Sequence, residues 1–308
     1  MRPISESDLR RLNWYGLKPA VGAVLVWRPF NKLVVSLARQ VLSTKAASRI
    51  PVAEREVDFF TAGGHVVKLL SPSRDDVARD VFWNRGKRGS LADRLVMQCH
   101  ASLCRDADFF FDVGSFSGIF SLVAAKENRR LRAFAYEIFP ASFHLLNRNI
   151  IENNLISRVE ARLKGLADSC GSVVLPIDTG LLGLPTSLSI GSSFRTGVEV
   201  PVVTLDHETA NIKDGRVVIK IDVEGFELAV LKGAVSTLAR FRPDVICEIL
   251  PDAAGTAEIE GLLRPLGYKF FLFSNQGISL HDQLTPREDG RDWLFTTRDA
   301  PPIDNAGS

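Results

Sequence analysis

Phe109-Phe-Phe-Asp-Val-Gly-Ser-Phe-Ser-Gly118 decides how this chain folds. Its first half is a short apolar run, the pattern of a strand buried on both faces of a parallel sheet. Gly114 ends the run, Gly118 follows, and Ser117 to Lys126 reads as a helix. Glycine lets the backbone turn sharply and lets a ligand approach the main chain with no Cβ in the way. The helix start adds free N–H groups and the positive end of a dipole. A dinucleotide site carries G-x-G-x-x-G here, with pyrophosphate on those amides. This stretch reads D-x-G-x-x-x-G instead. Its acid, Asp112, suits a cationic ligand and repels a pyrophosphate.

Downstream the alternation continues. Leu131 to Ile138 reads as a strand, Pro140 opens a helix to about Asn153, and Val159 to Leu166 is the next strand. Val217 to Val223, Asp244 to Leu250, Tyr268 to Ser274 and Trp293 to Thr297 complete the strand set, with helices across Glu227 to Phe241 and Ala257 to Leu266. Apolar strands interleaved with helices predict an α/β fold with a mostly parallel sheet covered on both faces. The last two strands have no helix between them. Gly277 to Arg291 is polar, holds Gly and Pro, and reads as a loop, so the pair forms an antiparallel edge. Glu137 falls at the end of the second strand, where α/β folds place an acid for the ribose hydroxyls of an adenosine ligand. A carboxylate accepts two hydrogen bonds in that geometry.

Lys220-Ile-Asp-Val-Glu-Gly225 ends another buried strand. Period two puts Lys220, Asp222 and Glu224 on one side. Burying three ionisable groups is costly unless they pair or line a cleft. Clefts in open α/β sheets lie beyond the carboxyl ends of the strands, which is where these residues fall. Asp222 and Glu224 are therefore candidate general bases, and His207, after Thr204-Leu-Asp206, is a third. Asp206, Asp222 and Glu248 offer oxygen ligands that would suit Mg²⁺. The plainer alternative is a structural Lys–carboxylate cluster with a helix cap at Glu224.

These stretches resemble the FkbM-type methyltransferases. The resemblance runs from about Asp106 to Thr297 and rests on Phe111-Asp-Val-Gly114 with Gly118, and on Glu137-Ile-Phe-Pro140 followed by Leu146, Asn149 and Asn153-Asn154. It rests also on Val200-Pro-Val-Val-Thr-Leu-Asp206, Lys220-Ile-Asp-Val-Glu-Gly225 with Glu227, Val230-Leu231 and Gly233, then Arg242-Pro243 and Glu248. It implies the Rossmann-like class I methyltransferase fold, S-adenosylmethionine as methyl donor, and O-methylation of a sugar, glycan or small secondary metabolite. It implies that Asp112, Gly114, Ser115, Gly118 and Glu137 bind the donor, which carries an ammonium and a sulfonium. Asp222 and Glu224 would then face the reaction centre. After Gly114 the family commonly has Ala, then Asn or His, then an apolar residue. Here the run is Ser115-Phe-Ser117, which sets Phe116 to narrow the methionine end of the pocket.

Upstream the texture differs. Residues 1–104 read as a helical and β-hairpin appendage, 105–300 as the catalytic domain and 301–308 as a disordered tail. A helical stretch covers about 28 to 48. Glu56 to Thr61 and His65 to Leu70 flank Ala62-Gly-Gly64 as a hairpin. Ala78 to Cys104 is mostly helical, broken at Gly86 and Gly89. The apolar run Val21 to Trp27 is too short to span a bilayer. With the helix that follows, it could touch a membrane surface, or pack on the domain or on a second copy in a homodimer. Ser187, Ser189, Gly191, Ser192 and Ser193 read as a loop able to cover the acceptor.

With 45% apolar and 24% charged residues, the chain of 308 residues can build an ordinary globular core. The net charge of +2 argues against a nucleic-acid partner. A protein or RNA methyltransferase would need a basic groove or stacking platform. A non-catalytic scaffold of the same fold would bind no donor. Cys99, Cys104, Cys170 and Cys247 form no CxxC pair and read as reduced thiols of a cytoplasmic protein.

Overall fold

A computed structural model describes residues 28–42, 44–48, 50–175 and 197–303. The run 21–27, the serine-rich loop from Ser187 to Ser193 and residues 304–308 lie outside the described residues.

The described residues begin with helices α1 (Arg28–Val41) and α2 (Thr44–Ala47), so the expected single helix ends at Val41 and a second begins at Thr44. The hairpin follows as β1 (Glu56–Phe60) and β2 (Val66–Leu70), antiparallel, with Glu56 opposite Leu70. Helices α3 (Asp76–Trp83) and α4 (Leu91–Arg105) come next, each opened by a side-chain cap from Asp75 and Ser90. The α/β portion runs β3 (Phe109–Val113), α5 (Ile119–Glu127), β4 (Arg132–Glu137), α6 (Pro140–Glu152) and β5 (Val159–Leu163). A small sheet then interrupts it, built from β6 (Gly165–Leu166), β7 (Gly171–Leu175) and β8 (Val198–Val203) in the order β6-β8-β7. The rest is α7 (Leu205–Thr209), β9 (Val217–Ile221), α8 (Glu227–Lys232), α9 (Val235–Phe241), β10 (Asp244–Glu248), α10 (Thr256–Leu263), β11 (Lys269–Ser274), β12 (Gly277–His281) and β13 (Asp292–Thr296).

The large sheet has eight strands in the order β12-β11-β13-β10-β9-β3-β4-β5. Strands β10, β9, β3, β4 and β5 are parallel neighbours. β13 runs antiparallel between β10 and β11. This is the Rossmann-like class I methyltransferase arrangement. Period-two alternation builds its two cores. Phe110, Val218, Ile246 and Leu294 face α4 and α5, while Phe111, Ile219, Val245 and Phe295 face α8 to α10. Val57, Phe59, Val67 and Leu69 of the hairpin join the first of these cores.

Three sequence expectations change. Residues 277–281 are a strand, not a loop: β12 pairs with β11 across a tight turn, and it, not β13, is the sheet edge. Gly-Ile-Ser-Leu-His is too short and half-exposed for a clear pattern. The helix expected from Glu227 to Phe241 breaks at Gly233-Ala234, and Gly233 packs so closely on the Ala167 carbonyl that a Cβ there would overlap it. The strand expected to Leu166 stops at Leu163, and Gly165–Leu166 leaves for the small sheet.

All four cysteines are free, and only Cys170 is exposed. Helix α1 buries Asn31, Val35 and Ala38 and exposes Phe30, Leu33 and Leu37. Among the described residues, no helix is long and apolar enough to cross a membrane.

Candidate active site

The carboxyl ends of β3, β4, β9 and β10 bring the sequence candidates into two groups. The first is the turn after β3. Gly114 takes φ +81° and Gly118 φ +89°, the left-handed region that glycine enters without strain. A Cβ on Gly114 would overlap the Asp222 carbonyl oxygen, and one on Gly118 would overlap Leu146. The turn is therefore pressed against β9 on one side and α6 on the other. Phe116 also sits at positive φ, +49°.

Glu137, at the tip of β4, is buried and organises this turn. Its two oxygens accept the N–H groups of Phe116 at 2.8 Å and Phe139 at 2.7 Å. Burial pushes its carboxyl up to about 7 from an ordinary 4.5, against the pull of those amides. Asp112 is buried one strand away. Its Oδ2 accepts from the N–H and hydroxyl of Ser121 at 3.1 and 2.7 Å, which ties β3 to the first turn of α5. Burial raises it to about 6. Ser115 is turned inward, its hydroxyl donating to the Tyr136 carbonyl at 3.2 Å.

A pH prediction follows from these groups. Glu137 binds its proton more tightly folded than unfolded, so its contribution to stability is fully present below about pH 4.5 and is lost as pH rises through about 7. Asp112 and Asp75, each raised to about 6 by burial, add slopes of the same sign. The melting temperature of the Glu137→Gln protein will therefore fall less steeply across this window than that of the wild type. Parallel melting curves would remove Glu137 from the titration.

The second group surrounds Lys220. Its ammonium is buried, 3.4 Å from Asp222 and 3.1 Å from Asp292, and lies over the Phe120 ring. Burial pulls it toward neutrality, but Asp222, Asp292 and Glu248 outweigh that and raise it. Glu248 is driven to about 9 by burial and by the neighbouring Asp222 charge. Asp222, Glu224 and Glu248 bring carboxylate oxygens within 4.8 Å of one another. Strand geometry does not continue to Glu224, because β9 stops at Ile221 and Glu224 takes φ +52°.

Asp206 is not part of this group. It caps α9, accepting from the N–H groups of Ser236 and Thr237 at 2.9 and 2.7 Å, so the proposed Asp206–Asp222–Glu248 ligand set for Mg²⁺ is not assembled. The cluster that does assemble already holds an ammonium, and burial and the Asp222 charge push its Glu248 carboxyl up. His207 is exposed on α7, and its N–H donates to Thr204. No contact among the described residues joins it to Asp222 or Glu224. Asp292 escaped the sequence reading. Its only signal there is an acid beside Arg291 at the head of an apolar strand.

The two groups share a wall. Asp222 donates its N–H to the Val113 carbonyl at 2.9 Å, and its own carbonyl fills the space left by Gly114. A glycine turn with a buried acid beside it thus adjoins a lysine–carboxylate cluster. A family model described as "Methyltransferase FkbM domain" matches residues 112–270, the span that holds both.

The chain belongs to the FkbM methyltransferase family. It is an S-adenosylmethionine-dependent methyltransferase. The methyltransferase sdnD of Sordaria araneosa is 26% identical over 190 residues, covering 52% of this chain and 73% of that protein. Methyltransferase FkbM from Methylobacillus flagellatus KT is 18% identical with a TM-score of 0.42, over 62% of this chain and 44% of that one. The present chain thus spans less than half the length of that FkbM protein. An O-methyltransferase from Bacillus cereus in complex with SAH is 15% identical with a TM-score of 0.36, over 65% of this chain and 80% of that one. In this FkbM member the matched span includes Asp112, Glu137, Asp222 and Glu248 but not Asp292.

Proposed function

We propose that the protein methylates a hydroxyl group of a sugar, glycan or small secondary metabolite, with Asp222 taking the hydroxyl proton. The observation that carries this is the position of Asp222: its carbonyl abuts the glycine turn while its partly exposed carboxylate stands between the Lys220 ammonium and Glu248.

The residues of the turn fit the donor. Glu137 is a buried carboxylate with no ion-pair partner among the described residues, and the two amides it holds leave two of its roughly four lone-pair sites for ribose hydroxyls. Gly114 and Gly118 let the turn pack tightly against Asp222 and Leu146, and buried Asp112 adds negative charge behind it. When bound, the donor supplies an electrophilic methyl group on a sulfonium.

The chain's own residues then do the positioning and the proton handling. Methyl transfer to an acceptor hydroxyl would leave a neutral thioether and release the O–H proton. The acceptor O–H proton passes to Asp222. Lys220 pairs with the Asp222 carboxylate at 3.4 Å and holds it in place. Glu248, carrying its own proton against Asp222, offers a hydrogen bond that holds the carboxylate in place.

Transfer of labelled methyl from S-adenosylmethionine tests the acceptor class. The protein should label sugars or small hydroxylated metabolites from an extract. Label confined to protein or RNA would overturn the hydroxyl reading.

A further inference from the structure

The N-terminal hairpin reaches the glycine turn through two asparagines and an aspartate. Asn153, at the end of α6, treats Lys68 as a neighbouring strand would: it accepts the Lys68 N–H at 2.9 Å and donates to the Lys68 carbonyl at 2.7 Å. One helical turn earlier, buried Asn149 accepts the Leu70 N–H at 2.9 Å and donates to the Ser117 carbonyl at 2.8 Å. A single side chain thus bridges the hairpin and the turn. Asp75 approaches from the other side. Its Oδ1 caps α3 through the N–H groups of Val77 and Ala78, while its Oδ2 is buried without a hydrogen-bonding partner. The Ser117 hydroxyl is likewise buried and unpartnered, yet close enough to hold the Asp75 carboxyl down against the larger effect of burial. Backbone in the left-handed region persists at a non-glycine residue such as Phe116 only where surrounding contacts over-determine it. Ser117 is the next residue, and it is the one held.

We propose that Asn149 and Asp75 are positioning residues that fix the Gly114–Gly118 turn, so that the N-terminal hairpin sets the affinity for the methyl donor. The inference rests on the reading that this turn holds the donor. Asn149 acts on the Ser117 carbonyl and Asp75 on the Ser117 side chain, and neither needs to touch the donor. The amphipathic pattern of the hairpin and its burial in the first core explain why it is present, but not why Asn149 of α6 joins it to a ligand turn.

Asn149→Asp separates the two links. The new carboxylate still accepts the Leu70 N–H, but at neutral pH it sets a second oxygen against the Ser117 carbonyl. When protonated it donates again. The Kd of this variant for S-adenosylhomocysteine should exceed the wild-type value by about tenfold or more near pH 8, and come within about threefold of it near pH 5. Hydrogen exchange at the Gly118 amide should be faster in the variant at the higher pH. A Kd ratio that stays near one, or that does not change with pH, overturns the inference. A wild-type protein that fails to bind S-adenosylhomocysteine sinks the donor reading and this inference with it, while the exchange rate still reports separately whether the turn is held. Should Asn149→Asp not fold, Asp75→Asn and Asp75→Ala carry the test. The first keeps the helix cap and offers an amide to Ser117, so its Kd should match wild type; the second should weaken binding by about tenfold. Equal affinities for Asp75→Ala and wild type overturn the role of Asp75.

Discussion

The Glu137→Ala protein will fold and will have lost its affinity for S-adenosylhomocysteine. Two hydroxyl hydrogen bonds to a carboxylate contribute about 1.5–3 kcal/mol each, so removing them weakens binding by roughly 10²- to 10⁴-fold. The fold survives because two effects oppose. The Phe116 and Phe139 amides lose their acceptor, but a buried carboxyl held near 7 is itself costly at neutral pH, and that cost goes with it. Calorimetric titration with S-adenosylhomocysteine checks the first statement and circular dichroism the second. Affinity within about threefold of wild type, on a folded variant, would place the ribose elsewhere.

Asp222→Asn should behave in the opposite way, with donor affinity kept and turnover lost. General-base catalysis by a positioned group contributes about 10²- to 10⁴-fold, and the amide cannot accept the proton. The cluster tolerates the change. Asp292 stays 3.1 Å from the Lys220 ammonium, and without the Asp222 charge one of the causes that raise the Glu248 carboxyl disappears, although burial remains. The lone buried ammonium that would otherwise destabilise the variant does not arise. Single-turnover transfer to the identified acceptor is the measurement. A rate within about twofold of wild type would clear Asp222 of the base role.

The sheet and the glycine turn were legible in sequence because both follow from local rules. Phe109 to Val113 and Val217 to Ile221 are apolar apart from Asp112 and Lys220, a pattern that suits strands buried on both faces. Glu137 was legible because its place at a strand end is fixed by the same alternation. What escaped depends on partners far apart in sequence. The close approach of Ala167 to Gly233, where the helix breaks, joins segments far apart in sequence. Asp206 reads as a ligand until α9 is seen resting on it. Asp292 meets Lys220 only because β13 passes beside β10, and no local pattern announces that. The bridge from Asn149 to Ser117 is hidden for the same reason.

The path of β13 also bears on how the protein is born. The strand is threaded between β10 and β11, both of which leave the ribosome before it. Until Asp292–Thr296 emerges, two neighbouring strands stand with open edges, inviting association with other chains. The same strand delivers Asp292 to Lys220, so the ammonium lacks one of its counter-ions until that moment. A truncated nascent chain is therefore not a weak enzyme but a sticky intermediate. Chaperone demand during synthesis should peak in the interval between the exposure of β11 and the arrival of β13.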